Sequence, residues 1–285
     1  MRVIHSVNVD YLAGHRRAAA RQEMKDAEMT EPAHPWTSVA VVTGGGSGIG
    51  RATALAFAQR GYAVVVAGRR EEPLSEVANL IRARGGVSLA VTCDVSSEDD
   101  VHRLMDRTTQ EFARVDATVN CAALQPGGAI LELRVEDFDR AIATNLRGAW
   151  LVTRSAALAM RESGGGVIVH VSSVSAMVGG PSDYSASKAG LEGLTRGAAE
   201  ELAPCGIRVL ALRAGLFDTP MLHSAWNTGE HPEEVLAPGA AATMLKRIGR
   251  PEEAAAAILW LCSPEASYIT GTCIDVDGGL LARWL

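Results

Sequence analysis

A chain of 285 residues is long enough for one α/β domain with a large core. Charged residues make up 21% of it and hydrophobic residues 47%, the balance of a folded chain and not of a disordered one. The net charge of −6 comes without a basic block, which argues against nucleic acid as a partner, and no apolar run approaches the ~20 residues of a membrane span.

Residues 1–36 are polar, with Arg16, Arg17 and Arg21 ahead of Glu23, Asp26 and Glu28. They lack the apolar region of a secretory signal and read as a disordered or partly helical extension. The Arg-rich start faintly resembles a transit peptide, and Met29 would be an ordinary start for a domain that begins at Thr37. Residues 37–285 read as a single domain. Five cysteines form no C-x-x-C pair, so free thiols in a reducing cytoplasm are expected. The histidines show no ligand spacing, so no metal is expected, and His170 reads as a satisfied core residue.

From Thr37 strand-like and helix-like segments alternate. The first strand-like run, 38–43, leads into Thr43-Gly44-Gly45-Gly46-Ser47-Gly48-Ile49-Gly50 and then a helix-like run at 51–58. Strand, glycine turn and helix in that order form the first half of a dinucleotide-binding unit. Glycines permit φ > 0 and remove Cβ atoms, so the backbone can close on a pyrophosphate. The helix start points unpaired N–H groups at it. An ordinary tight turn is the plainer alternative for the glycines alone.

The second run, 63–67, ends in Gly68-Arg69-Arg70. A carboxylate about 20 residues past the glycines would bind the ribose 2′-OH of NAD. None is present, and Arg69, assisted by Arg70, offers a planar donor fork for a 2′-phosphate. NADP is expected over NAD, with a solvated pair balanced by Glu71 and Glu72 as the alternative. Runs at 88–92, 117–120, 167–171, 207–212 and 273–276 are short and rich in Val and Ile, as parallel strands buried on both faces are. Between them lie helix-length segments at 74–84, 98–112, 145–161 and 184–203, the second opened by Ser97 and Asp100 as a capping box. The alternation predicts an α/β fold: a Rossmann-type doubly wound parallel sheet of about seven strands with helices on both faces. The least regular stretch, 214–248, carries Pro220, Pro232 and Pro238 and reads as a lid or binding loop.

Tyr184-Ser-Ala-Ser-Lys188 puts a phenol and an ammonium on one helical face. A phenol is a poor base near neutrality, and an adjacent ammonium favours its phenolate, giving a tuned general acid/base. Ser172 and Ser173 follow a strand at the end where such sheets bind ligands. Asn145 heads another helix.

Together these features resemble the short-chain dehydrogenase/reductase family. The turn matches its Thr-Gly-x-x-x-Gly-x-Gly, and Asn145, Ser173, Tyr184 and Lys188 match its tetrad in chain order. Asn120-Cys121-Ala122-Ala123 stands where the family has Asn-Asn-Ala-Gly, and Asp277-Gly278-Gly279 and Arg247 to Glu253 match its C-terminal segments. The resemblance, over residues 37–283, implies hydride transfer between a nicotinamide cofactor and a secondary alcohol or ketone. It implies that Tyr184 moves the proton, Lys188 lowers its pKa and holds the nicotinamide ribose, Ser173 orients the carbonyl and Asn145 positions a water. Ser172 is the alternative to Ser173. The resemblance also implies cofactor contacts for Gly44, Gly46, Ser47, Gly48, Ile49, Gly50, Asp94, Val95, Asn120, Ala122, Ala123, Gly215 and Thr219. From chemistry alone Asp94 is equally a turn residue.

The departures are Ala123 for a glycine, Arg213-Ala214 for Asn-Pro, and Ser47 where many NADP-preferring relatives carry a basic residue. Leu124, Pro126, Met177, Val178, Leu216, Met221, Leu222 and Trp226 are expected to line an apolar substrate cleft, with Gln125, Asp183 and His223 as hydroxyl partners. A sugar or polyol dehydrogenase and a cofactor-binding regulator without catalysis are the other readings. A homotetramer is implied as well, and Ala189, Gly190, Gly193, Gly197 and Ala198 are small enough for close helix packing against a second copy.

Overall fold

Short Val- and Ala-rich runs cannot bury both faces alone, so they stack as one sheet between two helix layers. The computed structural model describes residues 36–229 and 231–283. The expected extension, apart from Trp36, lies outside them. The strands are β1 (Ser38–Thr43), β2 (Tyr62–Gly68), β3 (Ser88–Thr92), β4 (Ala117–Asn120), β5 (Gly166–Ser173), β6 (Ile207–Ala214) and β7 (Cys273–Val276). All seven pair in parallel, in the order β3-β2-β1-β4-β5-β6-β7. β1 and β4 are neighbours, which makes their carboxyl ends the switch point where the chain winds off in both directions.

The helices are α1 (Gly48–Gln59), α2 (Glu71–Ala83), α3 (Glu98–Phe112), α4 (Val135–Ile142), α5 (Ala149–Ser163), α6 (Ser175–Val178), α7 (Ser182–Leu202), α8 (Pro220–Trp226), α9 (Pro232–Ala242) and α10 (Pro251–Cys262). Strand side chains alternate between the two layers. Val39, Val41 and Val65 pack with Leu104 of α3, Leu151 of α5 and Ala198 of α7. Ala40, Val42 and Val66 pack with Phe57 of α1, Leu74 of α2 and Ile258 of α10. Each large side chain so buried contributes about 1.5–3 kcal/mol. Among the described residues no helix is long and apolar enough to cross a membrane.

Several expectations shift. β5 extends to Ser173, so both serines belong to the strand. The helix expected at 145–161 is α5, and a π-helical turn, Ala143–Gly148, joins it to α4. Segment 214–248 is not structureless: it holds α8 and α9. Pro220 and Pro232 each stand at the start of a helix, where the missing N–H costs nothing and the fixed φ is helical. Ser97 caps α3 through the Asp100 N–H, but the Asp100 carboxylate accepts from Asp94 N at 2.9 Å, so the box is half made. On α7, Gly190 packs against Leu146, whereas Gly193 and Gly197 lie on its exposed side.

Two polar side chains inside the sheet, His170 and Arg213, are fully engaged. His170 lies between Thr153 and Thr195, each hydroxyl 2.9 Å from a ring nitrogen. Thr195 spends its proton on Leu191 O, so Nδ1 carries the hydrogen of the imidazole. Burial holds the ring neutral, with its pKa down to about 3. Arg213 of β6 donates Nε and Nη2 to the two carboxylate oxygens of Glu192, both at 2.8 Å, and Nη1 to Asp275. Removing one partner of such a pair leaves a buried charge alone. Arg213→Met should cost about 3–5 kcal/mol in urea unfolding, and adding Glu192→Met should recover most of it. Equal losses in the single and double variants would show that the pair is not what Arg213 supports.

Candidate active site

The site grows from the carboxyl ends of β1, β2, β4, β5 and β6. After β1 the chain turns through Gly44 and Gly48, both left-handed at φ 66° and 51°. A Cβ on Gly50 would lie 2.2 Å from the Gly44 carbonyl oxygen, so the turn closes only around glycine. Ser47 precedes α1 in extended geometry and makes no side-chain cap bond, which leaves the first N–H groups of α1 facing the cleft. Gly44, Gly46, Ser47, Gly48, Ile49 and Gly50 all line that cleft.

Gly68, Arg69 and Arg70 line it from the end of β2. Both arginines are exposed, and neither has an ion pair or hydrogen bond among the described residues. Asp94 and Val95 stand beyond β3. Asp94 Oδ1 accepts from Ser96 N at 2.9 Å and Ser96 Oγ at 2.7 Å, so the turn role is real, while the residue still faces the cleft. Ala122, Ala123, Gly215 and Thr219 line it too. Asn120 does not: its amide is buried beneath the cleft, with no partner among the described residues. The strand continues through Asn120 and places it in register with Thr43 and His170, so it stays inside the sheet.

The reacting groups meet between β5 and α7. Tyr184 and Ser173 both line the cleft there, and Ser173 Oγ accepts from Ser175 N at 3.2 Å. Ser172 points elsewhere, its Oγ donating to Glu192 at 3.0 Å. Lys188 Nζ donates to Val171 O at 2.7 Å and lies 5.5 Å from the centre of the Tyr184 ring. Asn145 is not in the cleft. Its amide grips the backbone of Leu124 on both sides at 2.8 Å and donates to Ser187 Oγ at 3.0 Å.

Electrostatics follow burial. Burial pushes the Tyr184 phenol up to about 12, with the Ser173 hydroxyl opposing. The expected lowering by Lys188 is therefore absent here: the ammonium is turned to a carbonyl and not to the phenol oxygen. Lys188 itself is brought down to about 8 by burial of its charge.

Leu216, Met221, Leu222 and Trp226 line the far end, whereas Met177 and Val178 are exposed outside it and Leu124 and Pro126 also stand apart. Of the expected hydroxyl partners only Gln125 lines the cleft. Asp183 is buried, and His223 is engaged by Asp218 at 2.7 Å and Thr228 at 2.9 Å. Val174, Pro181 and Ala225 line the cleft without having been anticipated. Ala225 lies one helical turn from Met221, a spacing that becomes readable only once α8 is known to be a helix.

Residues 44–281 match the family model described as enoyl-(acyl carrier protein) reductase. The cis-4-hydroxycyclohexanecarboxylate dehydrogenase of Sinomonas cyclohexanicum is 43% identical over 247 residues, 86% of this chain and 96% of the relative. The crystal structure of a short-chain type dehydrogenase/reductase from Mycobacterium marinum superposes with a TM-score of 0.80 at 35% identity, covering 86% of this chain and 96% of that one. The chain belongs to the short-chain dehydrogenase/reductase family. A crystal structure of actinorhodin polyketide ketoreductase with NADPH is a further neighbour, with a TM-score of 0.81 at 34% identity over 86% of this chain and 97% of that one.

As a member of that family the protein is an oxidoreductase with a nicotinamide cofactor, acting between alcohols and ketones. The cleft fits such a group. Its glycine turn has no room for side chains, α1 offers free N–H groups, and two unpaired arginines flank it. Gly44, Gly46, Ser47, Gly48, Ile49 and Gly50 would hold the pyrophosphate.

Lys188 should titrate near pH 8 and not at the ordinary 10.4 of lysine. Its folded pKa is the lower one, so its charge costs stability below pH 8 and the cost fades as pH rises through 8 toward 10.4. The Nζ resonance followed by NMR in the protein and assigned with Lys188→Met should show that midpoint. A midpoint above about 10 would mean that the ammonium is hydrated.

Proposed function

We propose that the protein interconverts a neutral, largely apolar ketone and its secondary alcohol with NADP, using Tyr184 as the general acid/base. The observation that carries this reading is that Ser173 and Tyr184 line one cleft together, with Lys188 one turn along α7 and its Nζ on Val171 O. When bound, the nicotinamide supplies or accepts the hydride and in its oxidised form adds a positive charge to the site. Ser173 orients the substrate oxygen beside the phenol. Tyr184, neutral at rest, donates its proton to the oxygen as a ketone is reduced. Lys188 holds the ribose and, once turned from Val171, favours the phenolate for the reverse reaction. Asn145 acts by fixing Leu124 and Ser187, a positioning role behind the cleft.

The neutral substrate follows from where the cations are. Arg213, a candidate for binding an anion, is buried in its pair with Glu192 and Asp275. Lys246 Nζ is bonded to Ala241 O at 2.7 Å. Among the lining residues the cations are Arg69, Arg70 and Lys188, all in the proposed cofactor contacts. A carboxylate would find no partner at the far end. A polyol would find only Gln125 there beside the serines and Tyr184. The relative named as a cis-4-hydroxycyclohexanecarboxylate dehydrogenase favours a ring alcohol, although its named substrate carries an acid.

NADP is favoured because Arg69 and Arg70 have no partner among the described residues and Gly68 presents no carboxylate. A Cβ on Gly68 would meet only Leu74, at an ordinary contact distance of 3.5 Å. Gly68→Asp with Arg69→Ala should move the NADP/NAD ratio of kcat/KM toward NAD about tenfold or more, the loss of a charge-assisted hydrogen bond. An unmoved ratio refutes the assignment.

Tyr184→Phe should lower kcat for cyclohexanone about 10²–10⁴-fold and leave the NADPH Kd within about twofold, because the phenol acts in proton transfer. Wild-type kcat in that variant would overturn the mechanism.

A further inference from the structure

The far end of the cleft is a wall built by α8. Met221, Leu222, Ala225 and Trp226 recur at helical spacing and all line the cleft. α8 is held at both ends. Thr219 Oγ1 accepts from Leu222 N at 3.3 Å at its start. His223 bridges Asp218 and Thr228 on either side of it, and Asn227 closes it in a left-handed conformation. Trp226 is its last residue.

Behind the indole stands Gly239, inside α9. Its φ is not positive, so helical geometry does not call for glycine there. A glycine within a helix is a poorer helix former than alanine. Space accounts for it. A Cβ on Gly239 would lie 2.5 Å from Trp226 Cη2, 2.9 Å from Cζ3 and 2.8 Å from Leu216 Cδ1. Such distances are too short for carbon contacts, so one of these side chains would have to move, and both line the cleft.

We infer that Trp226, seated against the bare backbone of Gly239, is the specificity-determining wall of the cleft, and that it admits ring-bearing ketones by their size. The inference rests on the ketone-reductase reading above. An indole face is flat, apolar and rigid, with two side-chain torsions. It suits an alicyclic or aromatic ring whose carbonyl lies at Tyr184 and Ser173. Leu216, Met221 and Leu222 complete an apolar lining with no charge to satisfy. The wall's depth is set by Gly239, which touches no substrate and acts through the indole.

The test uses the full chain with NADPH, cyclohexanone and the two-ring 2-decalone. Trp226→Ala opens the wall and should raise the 2-decalone/cyclohexanone ratio of kcat/KM about tenfold, mostly through KM. Gly239→Ala pushes the indole inward and should lower that ratio about tenfold. Trp226→Phe, the conservative variant, should fall between wild type and Trp226→Ala. Ketone affinity for the NADP complex, measured by calorimetry, should follow the same order, with the NADPH Kd unchanged. Ratios within twofold of wild type in both Trp226→Phe and Gly239→Ala would overturn the wall while leaving the ketone-reductase reading intact. A wild-type protein that binds NADPH and reduces neither ketone would overturn both.

Discussion

Two neighbouring elements, β5 and α7, are locked to each other rung by rung, and the site depends on that lock. Going up β5, His170 meets Thr195, Val171 O takes Lys188 Nζ, Ser172 meets Glu192 and Ser173 meets Tyr184. α7 runs back past the strand, so Tyr184, Lys188 and Glu192, four residues apart, share one stripe against it. A buried ammonium without a partner would be expensive. The carbonyl of Val171 is therefore a condition for burying Lys188 at all, and its burial in turn lowers the lysine's pKa. Shifting α7 by one residue would break every rung.

The same stripe creates a second demand. Glu192 is buried and carries two acceptor oxygens that one serine cannot satisfy. Arg213, in register with Ser172 on the adjoining strand, supplies a fork of matching geometry. This accounts for the arginine that stands where the family has asparagine. It also withdraws from the cleft a cation that would otherwise face substrate. A structural pair behind the sheet and the neutrality of the substrate end are thus one fact seen from two sides.

The sheet was legible because parallel strands leave a plain signature of short β-branched runs: those at 38–43, 88–92, 117–120 and 273–276 coincide with β1, β3, β4 and β7, even though β3 and β7 are half-buried edge strands. The glycine turn was legible because few physical situations need so many missing Cβ atoms. Ser173 could be preferred to Ser172 by counting from the strand end, and the hydrogen bonds separate the two. What escaped depended on direction and not on spacing. Asn120 fits its motif, yet its side chain is buried and does not line the cleft. Asp183 and Tyr184 are adjacent, yet only Tyr184 lines the cleft. Proline misled at 220 and 232, where it starts helices. The pKa order escaped as well, since motif spacing sets the distance between phenol and ammonium but not the burial of each.

The parts of the site that were least readable prove to be continuous with the part that was most readable. A Cβ on Gly48 would lie 3.2 Å from Thr219 Cγ2, so the glycine turn and the threonine are in contact range. Thr219 caps α8, α8 ends in Trp226, and Trp226 rests on Gly239 of α9. Glycine stands at both ends of this series where another group closes on bare backbone, and at Gly48 the left-handed φ requires it as well. At Gly48 a helix cap sits over the glycine turn; at Gly239 an indole sits against a helix. A displacement of α8 would therefore reach the far end of the cleft and the glycine turn together, because Thr219 and Trp226 stand at the two ends of one short helix. One short helix, leaning on two glycines, thus joins the far end of the cleft to its glycine turn.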